Sequence, residues 1–128
     1  MIYVGTSVAL AHLLAEDYRP PDAFWGATLV SGSLIKYEIW SRLNARNLDK
    51  SHGDAARGII GCIALLELTP AVLERALDVF PHSVRTLDAL HLASFHFLWR
   101  QRLPIELAGY DHRMLTVPEA MGMPRFIS

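Results

Sequence analysis

The stretch that decides the fold is residues 2–7, Ile-Tyr-Val-Gly-Thr-Ser, where a short apolar run leads into small and hydroxylated residues. Such an apolar run, bounded by a turn signal, is typical of a short buried strand. Thr6 and Ser7 are both favoured at the N-cap of a helix. The Ala- and Leu-rich segment 8–16 then predicts a helix. The chain is therefore expected to begin with a strand, a turn and a helix.

The same order of elements recurs further along the chain. A second strand near residues 28–30 leads through Ser31, Gly32 and Ser33 into a helix at about 34–46. Alternating strands and helices with short connections predict an α/β fold: a mostly parallel sheet of four to five short strands, flanked by helices in three layers. The remaining predicted elements are helices at 51–62, 71–79, 87–100 and 111–120, strands at 64–68 and 105–108, and a last strand at 125–127. Residues 51–54 have the spacing of a capping box, which predicts that the helix at 51–62 begins at Ser51.

Length and composition exclude several classes of protein. The 128 residues predict a single domain, 1–128, and the hydrophobic share of 52% indicates a globular chain. Twelve basic against 13 acidic residues give a formal charge of −1, so no overall positive field attracts a polyanion. The single Cys62 excludes an internal disulfide framework, and no apolar run is long enough to span a bilayer. We therefore expect a soluble, cytoplasmic protein with no membrane partner.

One acidic side chain falls on an apolar helix stripe. Projection of helix 34–46 puts Leu34, Ile35, Ile39 and Leu43 on one side. Glu38 falls between Leu34 and Ile35, on the side that faces the core or a cleft. The alternative is an edge position in which Glu38 pairs with Arg42, four residues on. In parallel sheets ligands bind at the carboxyl ends of the strands, so an inward carboxylate near such an end is a candidate for chemistry.

Two more carboxylates occur at predicted helix starts. Asp88 lies in the first turn of helix 87–100, on the face that carries apolar and aromatic residues, and His91 is one turn further along. The ordinary role of a histidine at such a position is a hydrogen-bonded residue of the core. Asp111 follows a predicted strand, where an N-cap role is the ordinary explanation. Hard oxygen ligands such as these carboxylates suit Mg²⁺, with Mn²⁺ as an alternative. No zinc motif, phosphate-binding glycine loop or serine-nucleophile motif is present.

Four segments together resemble the PIN-domain ribonucleases, in particular the VapC-type toxins of bacterial type II toxin–antitoxin pairs. The resemblance covers nearly the whole chain, and the segment around Asp88 is the most specific. It implies a PIN-like, Rossmann-like fold and Mg²⁺-dependent endonucleolytic cleavage of RNA. The four segments are MIYVGTS (1–7), YEIWSR (37–42), VRTLDALHLA (84–93) and LAGYD (107–111).

The resemblance also implies site residues. Glu38, Asp88 and Asp111 match three family acids and would be metal ligands and catalytic residues, with Thr6 and Ser7 as hydroxyl groups of the same site. Gly5 departs from the family, because it stands where the family has a principal metal-binding Asp. We therefore expect weaker metal binding and strongly reduced cleavage.

The resemblance further implies partners: an RNA substrate and a cognate VapB-type antitoxin that occupies the active-site groove. The apolar composition adds the expectation of a homodimer. Two alternatives stay open. The chain is either a catalytically inactive PIN relative that acts as an antitoxin-binding or protein-interaction module, or a small α/β protein without nuclease ancestry. The last alternative predicts scattered carboxylates, whereas the PIN interpretation predicts one shared acidic pocket.

Overall fold

A computed structural model describes residues 1–126, apart from the side chain of Arg113. Strands and helices alternate along most of the chain, as the sequence predicts. The elements are β1 (Ile2–Val4), α1 (Thr6–Leu13), a 3₁₀ helix (Asp22–Gly26), β2 (Leu29–Gly32), α2 (Leu34–Ala45), α3 (Asp49–Gly61), β3 (Ile63–Leu66), α4 (Pro70–Leu77), α5 (Thr86–Arg100), β4 (Glu106–Ala108) and α6 (His112–Met121).

The four strands form one parallel sheet in the order β3-β2-β1-β4. Successive side chains of a strand point to opposite faces of the sheet. Accordingly, Ile2 and Val4 of β1 lie in one buried cluster with residues of α1, α2 and α3. Tyr3 lies in the other, with residues of α5 and α6. Helices therefore cover both faces, which confirms the predicted three-layer α/β fold.

The central position of β1 places its carboxyl end between those of β2 and β4. Val4 pairs with Ala108 of β4, and Tyr3 pairs with Val30 of β2. Both neighbouring strands run parallel to β1, so the segments that follow all three strands emerge at one edge of the sheet. This edge holds most of the residues that the sequence singles out.

Three local predictions differ from the structure. The N-cap of α1 is Gly5, so Thr6 and Ser7 both lie inside the helix and neither caps it. Helix α3 begins at Asp49, so Ser51 lies inside it and the predicted capping box at Ser51 is wrong; the Ser51 hydroxyl donates to the carbonyl of Leu48 instead. The last strand is reduced to one isolated parallel bridge between Leu107 and Arg125, and residue 127 lies outside the described part of the chain.

The helices of the structure can be compared with the length and hydrophobicity that a membrane span needs. Among residues 1–126, no helix combines the length and the apolar character that crossing a bilayer requires.

Candidate functional site

Two turns meet at the carboxyl edge of the sheet, one after β1 and one after β4. The backbone N–H of Gly5 donates to the carbonyl oxygen of Ala108 at 2.7 Å. Two residues further on, the backbone N–H of Tyr110 donates to Ser7 Oγ at 2.9 Å. These two bonds hold the turn that begins α1 against the turn that carries Asp111.

Glu38 reaches this edge from α2. Its carboxylate oxygen Oε1 accepts a hydrogen bond from Thr6 Oγ1 at 2.9 Å and forms a short contact with His91 Nε2. The Glu38 side chain is 19% exposed, so it lies at the boundary between core and solvent. Ile35, Ile39 and Leu43 of the same helix are fully buried, which confirms the projected stripe. The alternative pairing with Arg42 is wrong, because within the described chain Glu38 pairs with His91.

His91 is more deeply involved than the sequence predicts. It is 3% exposed, and its Nδ1 lies 2.8 Å from the hydroxyl of Tyr3, which is fully buried in β1. The expectation of a hydrogen-bonded core histidine is correct. The sequence shows only that His91 follows Asp88 by one helical turn, so the contacts to Tyr3 and Glu38 were missed. The available signal was that a second polar residue, His91, follows Asp88 by one turn on the otherwise apolar face of α5.

Asp88 and Asp111 occupy the more exposed side of the site. Asp88 is partly buried, and Asp111 is exposed at the start of α6. Partial burial raises the pKa of Asp88, and the negative charges of Asp111 and Glu38 raise it further, whereas His91 and Arg85 oppose the increase. Glu38, Asp88 and Asp111 are thus close enough for their charges to interact. Asp88 thus interacts with each of the other two acids, and one shared acidic pocket for all three stays a prediction.

Gly5 has no room for a side chain in this structure. A Cβ atom built on Gly5 would lie 2.8 Å from the carbonyl oxygen of Ala108 and 3.5 Å from Met114 Cε. The nearer atom belongs to the backbone, so a substitution requires the turn after β4 to shift. The space beside Gly5 is therefore occupied by the neighbouring strand, and is not an open cavity left by a shorter side chain.

The fit of a divalent cation is a question of donor chemistry and placement. Glu38, Asp88 and Asp111 supply carboxylate oxygens, and Thr6 and Ser7 supply hydroxyls, which are the hard ligands that Mg²⁺ and Mn²⁺ prefer. The negative charges of Asp111 and Glu38 help to raise the pKa of Asp88, and a bound cation would offset them. Over residues 1–126, however, no three acidic, histidine or cysteine side chains are arranged to hold an ion as they stand. The donors fit the cation chemically, and binding it requires them to move closer together.

Comparison with known proteins identifies two relatives. Ribonuclease VapC47 of Mycobacterium tuberculosis (strain CDC 1551 / Oshkosh) is 28% identical over 129 residues, covering 95% of this chain and 93% of the relative. Ribonuclease VapC46 of Mycobacterium tuberculosis (strain ATCC 25618 / H37Rv) is 34% identical over 99 residues, covering 73% of this chain and 69% of the relative. No family model and no solved structure matches the chain.

The fold and the relatives agree. A parallel sheet with helices on both faces is the architecture expected for the PIN-like fold, and the candidate acids lie near one edge of that sheet. Both relatives carry the name ribonuclease, and the match to VapC47 extends over nearly the full length of each chain. On this similarity, the chain belongs to the VapC ribonuclease family.

Proposed function

We propose that this protein is the toxin of a toxin–antitoxin pair and a metal-dependent endoribonuclease whose cleavage is slow in this chain. The observation that carries the proposal is that hydrogen bonds from Thr6 and to Ser7 hold Glu38 and the turn before Asp111 at one edge of the sheet. Asp88 lies close enough to both acids for their charges to help raise its pKa. These carboxylates come from three different helices or turns, and an ordinary fold gains nothing from bringing like charges together. Perturbed carboxylates of this kind are a feature of functional sites.

Glu38, Asp88 and Asp111 are the residues proposed to hold Mg²⁺, with Mn²⁺ as an alternative. A bound divalent ion lowers the pKa of a water ligand and neutralises charge that develops on a phosphodiester. Thr6 keeps Glu38 in place through its hydroxyl, and Ser7 keeps the turn before Asp111 in place by accepting the N–H of Tyr110. The raised pKa of Asp88 makes its carboxyl group a candidate acceptor for the proton of an attacking water.

Slow cleavage is proposed because the fourth carboxylate of the family pattern is absent. Gly5 supplies no carboxylate ligand, and the carbonyl oxygen of Ala108 would lie only 2.8 Å from a Cβ at this position. Since Mg²⁺ readily keeps several water ligands, loss of one carboxylate weakens binding without abolishing it. The net charge of −1 leaves RNA affinity to the bound cation and to local arginine contacts.

The test is cleavage of total cellular RNA by the purified protein, with Mg²⁺, with Mn²⁺ and with a chelator. We expect slow cleavage that needs a divalent ion and is lost in Asp88→Asn and in Asp111→Asn. Asp54→Asn is the matched control, because Asp54 is an exposed aspartate on α3 that pairs with Arg57. Cleavage that persists in the chelator and in both site variants contradicts the assignment.

A catalytically inactive, antitoxin-binding module is the second candidate function, and the absence of a carboxylate at position 5 favours it. Comparison with Gly5→Asp separates the two. Measurable cleavage by the unmodified chain supports the nuclease, whereas cleavage only after Gly5→Asp supports the inactive module. Absence of cleavage in both proteins removes support for a nuclease. Equal, robust cleavage by both contradicts the proposed impairment.

The proposed protein partners are a VapB-type antitoxin and a second copy of the chain. Apolar side chains are exposed outside the acidic site: Leu77 is 88% exposed and Val79 is 83% exposed, beside a groove of about 600 Å³ between α4 and α5. Exposed apolar surface of this kind is common at interfaces. Light scattering of the isolated protein at micromolar concentration tests the homodimer, and co-purification with the product of an adjacent short gene tests the antitoxin.

A further inference from the structure

A continuous series of hydrogen bonds runs from the middle of the sheet to Glu38. The backbone N–H of Gly32 in β2 donates to the Tyr3 hydroxyl oxygen at 2.9 Å. That hydroxyl lies 2.8 Å from His91 Nδ1, and His91 Nε2 contacts Glu38 Oε1. The series connects three elements, β2, β1 and α5, to a carboxylate on α2.

The direction of these bonds follows from their acceptors. Glu38 Oε1 is a carboxylate oxygen and can only accept, so His91 Nε2 carries a proton. In the neutral ring Nδ1 then has a free lone pair, which accepts the proton of the Tyr3 hydroxyl. Burial raises the pKa of Tyr3 far above its ordinary value, so its hydroxyl keeps that proton. The N–H of Gly32 completes the series by donating to the same oxygen.

Both donors act on the same oxygen of Glu38. Thr6 Oγ1 and His91 Nε2 converge on Oε1, and within the described chain neither donates to Oε2. Two donors on one carboxylate oxygen restrict rotation of the carboxyl group. The second oxygen is thereby left available to a cation at the site.

We infer that Tyr3 and His91 are positioning residues for Glu38, an inference that rests on the metal-binding part of the proposed function. They touch neither RNA nor the ion; they hold the Glu38 carboxylate in the orientation that presents its second oxygen to the cation. Partners that orient a ligand in this way typically affect metal affinity or activity by about 10–100-fold when they are removed. The sheet core thus supplies part of the geometry of the metal site.

Gly32 has a definite part in this arrangement. A Cβ at Gly32 would lie 3.0 Å from the Tyr3 hydroxyl and 3.2 Å from Ser94 Oγ. A side chain at this position would push the Tyr3 hydroxyl away from the Gly32 N–H by a few tenths of an ångström. The close approach of the Tyr3 side chain therefore explains the glycine at position 32.

The test uses His91→Leu, which removes both ring nitrogens, His91→Gln, which keeps an N–H donor for Glu38, and Tyr3→Phe, which removes only the hydroxyl. His96→Leu is the matched control, since His96 lies on the same helix and is partly buried away from Glu38. The first readout is the tautomer of His91 in the metal-free protein, from the nitrogen chemical shifts of the ring. The second readout is the Kd for Mn²⁺ by titration calorimetry.

We expect the Nε2–H tautomer in the unmodified protein. In His91→Leu the Kd for Mn²⁺ should rise at least about tenfold. His91→Gln should remain within about threefold of the unmodified protein, Tyr3→Phe should fall between these two, and His96→Leu should be unchanged. If His91→Leu does not fold, the comparison of His91→Gln, Tyr3→Phe and the unmodified protein decides.

Two results overturn the inference. A neutral His91 with its proton on Nδ1, or an unchanged Mn²⁺ Kd in folded His91→Leu and Tyr3→Phe, contradicts the positioning role and leaves the proposed function standing. An unmodified protein that binds no Mn²⁺ contradicts the metal-dependent function itself, and the positioning role with it.

Discussion

The candidate site has two sides that differ in how their charges are accommodated. On one side Glu38 is held by hydrogen bonds from Thr6 and His91 and lies near the core. On the other side Asp88 is partly buried, and its burial, together with the neighbouring charges of Asp111 and Glu38, raises its pKa. The first side is already organised by hydrogen bonds, whereas on the second side the charges of His91 and Arg85 offset only part of the effect of burial and of the neighbouring acids on Asp88.

The difference shows how one site combines stability with function. Hydrogen bonds to a partly buried carboxylate stabilise the folded chain, so that side needs no ligand to be in place. Carboxylates that repel one another lower stability until a cation binds, so that side couples folding to ligand. Substitutions on the two sides should therefore change stability in opposite directions.

The largest expected effect is on the organised side. Glu38→Ala leaves the buried His91 Nε2–H and the Thr6 hydroxyl without their acceptor, and we expect a loss of about 3 kcal/mol in the free energy of unfolding. Urea denaturation measures it. Glu38→Gln, whose amide oxygen still accepts, should lose clearly less, and Glu74→Ala on the exposed face of α4 serves as control. An unchanged free energy of unfolding in Glu38→Ala would contradict the contrast between the two sides.

Next in size is the substitution at the junction of the two turns. Gly5→Asp forces a Cβ against the carbonyl of Ala108, and we expect it to destabilise the metal-free protein by about 2 kcal/mol. Gly26→Asp is the control, because a Cβ at Gly26 has no neighbour within 4 Å. Equal unfolding midpoints for the two variants would show that the turn after β4 yields without cost.

A smaller effect is expected for the bond that joins the two turns. Ser7→Ala removes the acceptor of the Tyr110 N–H and should cost about 1 kcal/mol. Thr6→Ala provides the comparison, since it removes one of two donors to Glu38 and leaves the other. Amide hydrogen exchange at Tyr110 should accelerate in Ser7→Ala and stay unchanged in Thr6→Ala.

The smallest change in stability is expected at Asp88. It has the opposite sign, because the substitution should stabilise the protein. The pKa of Asp88 is raised in the folded state above its ordinary value of 3.8. Its favourable contribution to stability is therefore complete below that ordinary pKa and is lost as the pH rises through the raised pKa. Asp88→Asn should raise the Tm by a few degrees at neutral pH and lose that gain at about pH 3.

The same variant offers a check on the ion. Added Mg²⁺ should raise the Tm of the unmodified protein and leave that of Asp88→Asn nearly unchanged, because ligand binding to the folded state stabilises it. A lower Tm for Asp88→Asn at neutral pH without metal would contradict the repulsion described for this side.

The fold was largely predictable because local patterns determine it. The apolar run before Thr6 predicts β1, and the stripe of Ile35, Ile39 and Leu43 predicts the face that α2 buries. The start of α3 was misplaced, since Ser51 carries a capping pattern that the helix does not use. Helix ends depend on local competition among several donors and acceptors, which a pattern of residue types does not resolve.

The site was predictable in its residues and unpredictable in its contacts. Glu38 was recognised from its place on an apolar stripe, yet its partner proved to be His91, 53 positions away, and not the nearby Arg42. Helical spacing indicates only local neighbours, whereas the pairing of Glu38 with His91 depends on how α2 and α5 pack around β1. The same limit applies to Tyr3, which reads as an ordinary strand residue until its hydroxyl is placed against His91.

Thr6 and Ser7 are consecutive residues at the start of α1, yet their hydroxyl groups reach different sides of the site. Thr6 bonds Glu38, and Ser7 bonds the turn that leads to Asp111. The first turn of α1 thus acts as a mechanical coupling: a shift or rotation of this helix alters the spacing between the two groups of acids. A binding partner that displaces α1 from its outer surface would therefore change the site without entering it.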